Sequence, residues 1–440
     1  MPGSFFWGMT TTDELHARFL ECSGACTDTR QLVAEGMFFA LKGPNFDANA
    51  FAPQALKGGC RYAVVDDPTL PSSDRILLVP DVLKALQELG RYHRRQFDIP
   101  VLGITGTNGK TTTKELVHAV LSADRPTLAT IGNLNNHIGV PLTLLRLRPE
   151  HRIAIIEMGA NHVGDIRELV EIAEPTHGLI TNIGRAHLEG FGSYEGVVKA
   201  KTEMYDFLGE HTGILFVHSD DPLLMEKSKG LKRVTYGSND GADYCGWAVN
   251  SGSPFMELWF HSREDEHCPS IETKLIGDYN APNALAAMCI GWHFGVREDV
   301  IIDALENYEP ANNRSQFTDT GRNQLVLDAY NANPSSMKVA LENFAAMTTE
   351  RPKLAVLGGM KELGVESRSE HEALFAMVRD LKLDAVFIGP EFMELAPQGI
   401  TVHPDAATAL EAFKQKPLSG YLILVKGSRG TKLEALVPAF

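Results

Sequence analysis

Apolar and polar positions fall into blocks of two kinds along the chain, short continuous apolar runs and longer stretches with helical spacing. RYAVVD from Arg61 reads as a buried strand, and Val82 to Arg95 as a helix that ends before the break FDIP at Phe97–Pro100. From there strands and helices take turns: VLGIT at Val101, a helix from Thr112, IAIIEMG at Ile153, a helix from Val163, GLITNI at Gly178 and a helix from Tyr194. Such alternation predicts a parallel sheet covered by helices on both faces. Asp243 to Ile276 carries short alternating runs and few helix signals, which predicts an antiparallel extension of the same domain. After Glu309-Pro310 a second series opens with QLVLD at Gln324 and continues through KLAVLGG at Lys353, AVFIG at Ala385 and YLILVKG at Tyr421. The expected fold class is α/β in three domains, residues 1–97, 98–312 and 313–440, with no internal repeat and no low-complexity segment.

Bulk properties narrow the function. A chain of 440 residues with 44% hydrophobic content can bury several cores. A formal net charge of -15 repels nucleic acid and anionic membranes at long range, so neither is expected as a partner. Met1 to Glu14 lacks a basic start followed by an apolar run, and no stretch is long enough to span a bilayer, which points to the cytoplasm and no membrane insertion. Six cysteines are scattered, with only Cys22 and Cys26 close together and no paired metal-ligand spacing, so all six are read as reduced.

The sharpest local signal is GITGTNGKTTT, Gly103 to Thr113, which follows an apolar strand and opens a helix. Gly106 and Gly109 let the backbone approach phosphate, with Thr107 and Asn108 between them in the loop. Amides at the helix start point toward the anion, Lys110 neutralises charge, and Thr111, followed by Thr112, can offer its hydroxyl to magnesium. A nucleoside triphosphate loop follows, in a shortened form: Ile104 stands where the standard pattern places its first glycine.

TGTNGKTTT, with GNLNNHIGVPLTLL from Gly132, EMGANHVGDI from Glu157 and TNIGRAHLEGFGSYEGVVKAK ending at Lys201, resembles the Mur ligase family. Upstream TDTRQLVAEGMFFALKGPNFDANAFAPQAL from Thr27, and downstream DAYNANPSSM from Asp328 and VKGSRGTKLE from Val425, extend the resemblance over nearly the whole chain. The likeness is greatest to the branch that adds D-alanyl-D-alanine to UDP-N-acetylmuramoyl-tripeptide. It implies an N-terminal α/β domain for the UDP-muramoyl peptide, a central P-loop ATPase-like parallel sheet for ATP and a Rossmann-like C-terminal ligase domain, in a monomer.

The implied chemistry converts a carboxylate into an acyl phosphate with the γ-phosphoryl of ATP, which needs Mg2+, lysines and helix-end amides. By resemblance Lys110, Glu157, His187 and Lys201 are catalytic. Thr111 and Glu157 are expected at one magnesium, His187 at a second, and a carbamylated Lys201 would become an oxygen ligand. Lys199, two residues away on another helix face, competes for that role, and a solvated position suits it better. Asn280 and Asn283 are expected at the adenine edge, although Asn280 also suits a helix N-cap, and Arg314, Asp328 and Asn331 at phosphate and ribose. Thr27, Asp28, Arg30, Lys42, Asn45 and Phe46 fall in segments like the UDP-binding loops. Asn135 and Asn136 are expected in the muramoyl-peptide channel, and Lys426, Ser428 and Arg429 against the incoming dipeptide.

Three positions depart from the family pattern. Tyr279 replaces a histidine in GDYNAPNALAA, Gly359 stands for an aspartate in LGGMKELG, and Pro310 to Arg314 reads PANNR. Two rival readings are a sister ligase, adding an earlier amino acid or glutamate to folate, and a non-catalytic nucleotide switch; Glu157, His187 and Lys201 together argue against the switch.

Overall fold

Parallel strands need both faces covered, and the apolar runs of this chain supply them in three separate sheets. The computed structural model describes residues 9–71, 73–186, 188–249, 254–262, 268–311 and 314–440. The first sheet has the order Ala25–Cys26, Met37–Phe39, Tyr62–Val65, Ile76–Leu78, all parallel. Every residue of the last three strands is buried. Helix Val82–Arg94 follows, N-capped by Asp81, whose side chain accepts from the Lys84 amide. It leaves this sheet to lie on helix Gly139–Leu144 of the next one, with Gly90 directly against Pro141.

The central sheet has nine strands. From one edge they run Thr127–Ala129, Ile153–Glu157, Val101–Thr105, His177–Ile180, Ile214–His218, Arg233–Gly237 and Tyr244–Val249, all parallel. Phe255–Ser262 and Ser270–Ile276 then add antiparallel, as the alternating pattern from Asp243 predicts. Val101–Thr105 is the point where strand order reverses, with one later strand on each side. In an open α/β sheet the crevice beyond such a switch point is where ligands bind. Helix Lys110–Ser122 begins there, two residues earlier than its apolar pattern indicates, because Gly109 (φ 78°) turns the chain just before Lys110.

The third sheet has six strands in the order Gln316–Asp319, Gln324–Asp328, Leu422–Lys426, Lys353–Gly358, Asp384–Ile388, Thr401–His403. Only the first pairing is antiparallel. The carboxyl ends of Gln324–Asp328 and Leu422–Lys426 face the central switch point across a cleft of about 860 Å³. No described helix is long and apolar enough to cross a membrane.

Candidate active site

The loop after Val101–Thr105 is shaped by two glycines. At Gly106 (φ 142°) a Cβ would collide with the Thr181 hydroxyl, and at Gly109 it would lie 2.7 Å from Asn283 Oδ1. The segment after His177–Ile180 grips the loop from beside it. Thr107 N donates to Asn182 O (2.9 Å), Asn108 N to Asn182 Oδ1 (3.0 Å), and Thr181 Oγ1 to Asn108 O (2.6 Å). Lys110 Nζ folds back to donate to Gly106 O (2.6 Å) and Thr107 O (3.0 Å). Desolvation pushes this amine down to about 8, against the pull of Glu157 and with the help of Arg314's charge. Thr112 faces the same cleft.

Glu157 ends its strand almost fully buried, at 1% exposure. Its Oε1 accepts from Thr111 Oγ1 (3.1 Å) and Asn135 Nδ2 (2.7 Å), and its amide donates to Thr130 Oγ1 (3.0 Å). Its Oε2 is buried with no partner among the described residues. A buried carboxylate oxygen left over beside a threonine hydroxyl is a donor set suited to a hard divalent cation such as magnesium. Asn136 lines the cleft next to it, with its Oδ1 accepting from Gly139 N (2.9 Å) to start a short helix.

Helix Tyr194–Glu210 separates the two candidate lysines as its geometry requires: Lys201 is 2% exposed and Lys199 is exposed. Burial, then the charge of Lys110, holds the Lys201 amine well below its ordinary value, although Asp165 and Glu203 oppose this. Lys201 Nζ sits 5.6 Å from the Phe191 ring centre. His187 lies outside the described residues.

On the far side, Asn280 does not cap its helix with its side chain; Nδ2 donates to Ile276 O (2.8 Å), and Oδ1 accepts from Asn283 Nδ2 (2.9 Å). Asn283 Oδ1 accepts from Thr113 Oγ1 (3.0 Å), so these amides tie the nucleotide-loop helix to the helix Ala281–His293. Tyr279 shares a 2.8 Å hydrogen bond with Ser315 Oγ at the edge of the cleft. The third sheet contributes Asp328, Tyr330, Asn331 and Lys426 to the lining. Arg314 stacks over the Tyr330 ring at 3.6 Å, and Lys426 Nζ, nearly inaccessible, donates to Asp328 Oδ2 at 2.5 Å. These two residues sit opposite each other on adjacent parallel strands, which explains the pairing.

Other expected residues lie outside this cleft. Ser428 is buried, where its Oγ accepts from Lys361 N (3.2 Å), and Arg429 stands 5.5 Å from the Tyr330 ring centre. At Gly359 the Glu391 carboxylate occupies the space a side chain would need, 2.5 Å from a Cβ built there. In the N-terminal sheet Asp28 and Arg30 form a fork of hydrogen bonds, Lys42 pairs with Asp66 (2.8 Å), and Phe46 is 57% exposed on the hairpin after Asn45, with Thr27 half-buried nearby in sequence. Sequence reasoning passed over Asn182, Tyr330, Asn333 and Ser335, which all line the cleft. The signal for the last two stood in NANPSS, an N-cap asparagine before a proline-led helix.

Residues 104–291 match the Mur ligase middle domain, and residues 313–429 match the Mur ligase, glutamate ligase domain. The UDP-N-acetylmuramoyl-tripeptide–D-alanyl-D-alanine ligase of Bacillus subtilis is 34% identical over 94% of this chain and 92% of its own. Its namesake in Escherichia coli is 37% identical over 97% and 95%. Among solved structures, MurF from Acinetobacter baumannii superposes with a TM-score of 0.86 at 31% identity, covering 98% of both chains. A MurF ligase from Thermotoga maritima in complex with ADP gives 0.84 at 27%, covering 96% of this chain and 97% of that one.

Proposed function

The chain belongs to the Mur ligase family, and we propose that it joins D-alanyl-D-alanine to UDP-N-acetylmuramoyl-tripeptide with ATP, releasing ADP and phosphate, in peptidoglycan precursor synthesis. Similarity to ligases of that name over nearly the full length of both chains supports this choice over a sister ligase. The observation that carries the mechanism is the Thr111–Glu157 pair, its Oε2 without a partner among the described residues, beside Lys110 in a cleft closed on the other side by Asp328 and Lys426.

In this reading the loop Gly106–Thr112 holds the phosphates, and Lys110 leaves its carbonyl partners to neutralise charge on the transferred phosphoryl group. Thr111 and Glu157 would hold one Mg2+ and His187 a second, with a carbamylated Lys201 as a further oxygen ligand; magnesium would supply charge neutralisation for the phosphates there. Burial lowers the basicity of the Lys201 amine and so favours the form that reacts with carbon dioxide, which supports Lys201 over exposed Lys199. Asn280 and Asn283 face the adenine, while Arg314, Asp328 and Asn331 hold phosphate and ribose. Asn135 and Asn136 line the peptide channel, and Lys426 with Ser428 and Arg429 receives the dipeptide. Residues 1–97 carry the UDP end through the Thr27–Arg30 and Lys42–Phe46 segments, residues 98–312 the nucleotide and residues 313–440 the acceptor. The protein acts as a cytoplasmic monomer.

A phosphate-release assay crossing UDP-muramoyl peptides ending in lysine or diaminopimelate with D-alanyl-D-alanine, D-alanyl-D-lactate and single amino acids tests this. Release that requires a tripeptide and a dipeptide together is expected. Equal release with a single amino acid and a shorter peptide would assign the chain to another branch.

A further inference from the structure

The nucleotide loop does not only face the nucleotide. The Asn108 side chain points across the cleft to the third sheet's domain, where Nδ2 donates to Ser335 Oγ (3.0 Å) and Oδ1 accepts from Asn333 Nδ2 (2.8 Å). Ser335 Oγ in turn donates to Asn333 Oδ1 (2.9 Å). Three side chains thus close a ring of hydrogen bonds between residues 225 and 227 positions apart. Each end is held rigidly. Asn108 is clamped through its own backbone by Thr181 and Asn182. Asn333 is the N-cap of helix Pro334–Ala346, accepting from Ser336 N (2.8 Å) in a capping box. Gly184 makes room for the ring: a Cβ there would lie 3.1 Å from Ser335 Oγ, and Gly184 N donates to Thr107 Oγ1 (2.9 Å) in the same loop.

We propose that Asn108, Asn333 and Ser335 form a clasp that couples the nucleotide loop to closure of the C-terminal domain, with the side chain of Asn108 acting in positioning while the loop backbone holds the phosphates. This rests on the ligase reading above. The amide of Asn108 fits the clasp because it presents a donor and an acceptor at once, and each meets its complement. Locking the loop tip and the C-terminal domain by one set of bonds makes loop order and domain closure a single equilibrium. A nucleotide that orders the loop therefore favours the closed form, in which Asp328 and Lys426 line the cleft opposite the loop.

A double-mutant cycle in the full-length protein tests the clasp, using Asn108→Ala, Ser335→Ala and the pair, with Gly184→Ala as a wedge that removes no clasp residue. Steady-state ligation and compaction on adding a non-hydrolysable ATP analogue with UDP-muramoyl tripeptide, read by small-angle scattering, are measured for each. Each single variant should lower kcat by roughly five- to tenfold with KM for the UDP-peptide unchanged, and compact less than wild type. The pair should lose no more than the worse single, since the ring is already broken. Gly184→Ala should reproduce the compaction defect. Multiplying losses in the pair, or full compaction in both Ser335→Ala and Gly184→Ala, would overturn the clasp. A wild-type protein that compacts but does not ligate these substrates would instead refute the ligase reading and leave the scattering test of the clasp standing.

Discussion

At the residue scale, two lysines with depressed basicity sit where their charge matters most. Lys110→Ala should leave the fold intact, because among the described residues the amine bonds to carbonyls of its own loop, yet cost about 3 kcal/mol or more of transition-state stabilisation, roughly a hundredfold in turnover. Near-normal turnover in a folded variant would remove the phosphate-loop argument. Lys201→Ala should lose ligation and regain part of it with added short-chain carboxylates, while Lys199→Ala stays close to wild type; the reverse pattern would mean that the exposed lysine is the functional one. The chemistry of the loop was legible because Lys110, Thr111 and the glycines lie within one short segment. Asn182 and Ser335 were not, since each matters through a partner more than seventy positions away, and polar residues after strands and at helix starts are common. Lys426 shows the same limit: its partner Asp328 is fixed by strand register.

At the scale of elements, the apolar runs predicted each parallel strand of the central and C-terminal sheets that they spelled out, because a strand buried on both faces must be continuously apolar. The short strands Ala25–Cys26 and Thr127–Ala129 carry too few residues to show a period and become strands only through pairing. Helix Lys110–Ser122 starts before its apolar pattern does because a glycine turn and a phosphate-facing end, rather than burial, set its first residue. Helix Val82–Arg94 has a further feature that the pattern does not reveal: Gly90 lets it approach Pro141 so closely that a Cβ would lie 2.7 Å from Pro141 Cβ and 2.9 Å from Pro141 Cα. Gly90→Ala should gain helix propensity but lose more to overpacking, for a net destabilisation of about 1–2 kcal/mol. Urea unfolding followed at that helix would measure it, and an unchanged or raised midpoint would mean that the two helices can separate without cost.

At the scale of the whole molecule, the contact between the N-terminal and central units carries an acid-sensitive joint. His93, on helix Val82–Arg94, places Nε2 3.2 Å from Leu147 O, which can only accept, so that nitrogen carries the proton. Its Nδ1 must then accept from His16 Nε2 at 3.0 Å, and both rings are neutral. Burial, with smaller contributions from His16 and Arg148 and against the Leu147 hydrogen bond, pushes His93 down to about 4, while burial also lowers His16. Between that value and the ordinary 6.5 the unfolded chain binds a proton that the folded one refuses. The stability is therefore fully present above about pH 6.5 and declines as the pH falls toward 4, amounting to a loss of about 2 kcal/mol from His93 alone by pH 5. His177, pushed down to about 4 mainly by burial, adds the same trend inside the central sheet, but its ring meets His293 rather than the N-terminal unit. Hydrogen exchange at pH 7 and pH 5 separates the two: the amides of Thr12–Phe19 and Val82–Arg94 should lose protection at the lower pH, and His93→Gln should exchange there at nearly the same protection at both. If His93→Gln kept the full pH dependence in those helices, the joint would not reside in this histidine pair.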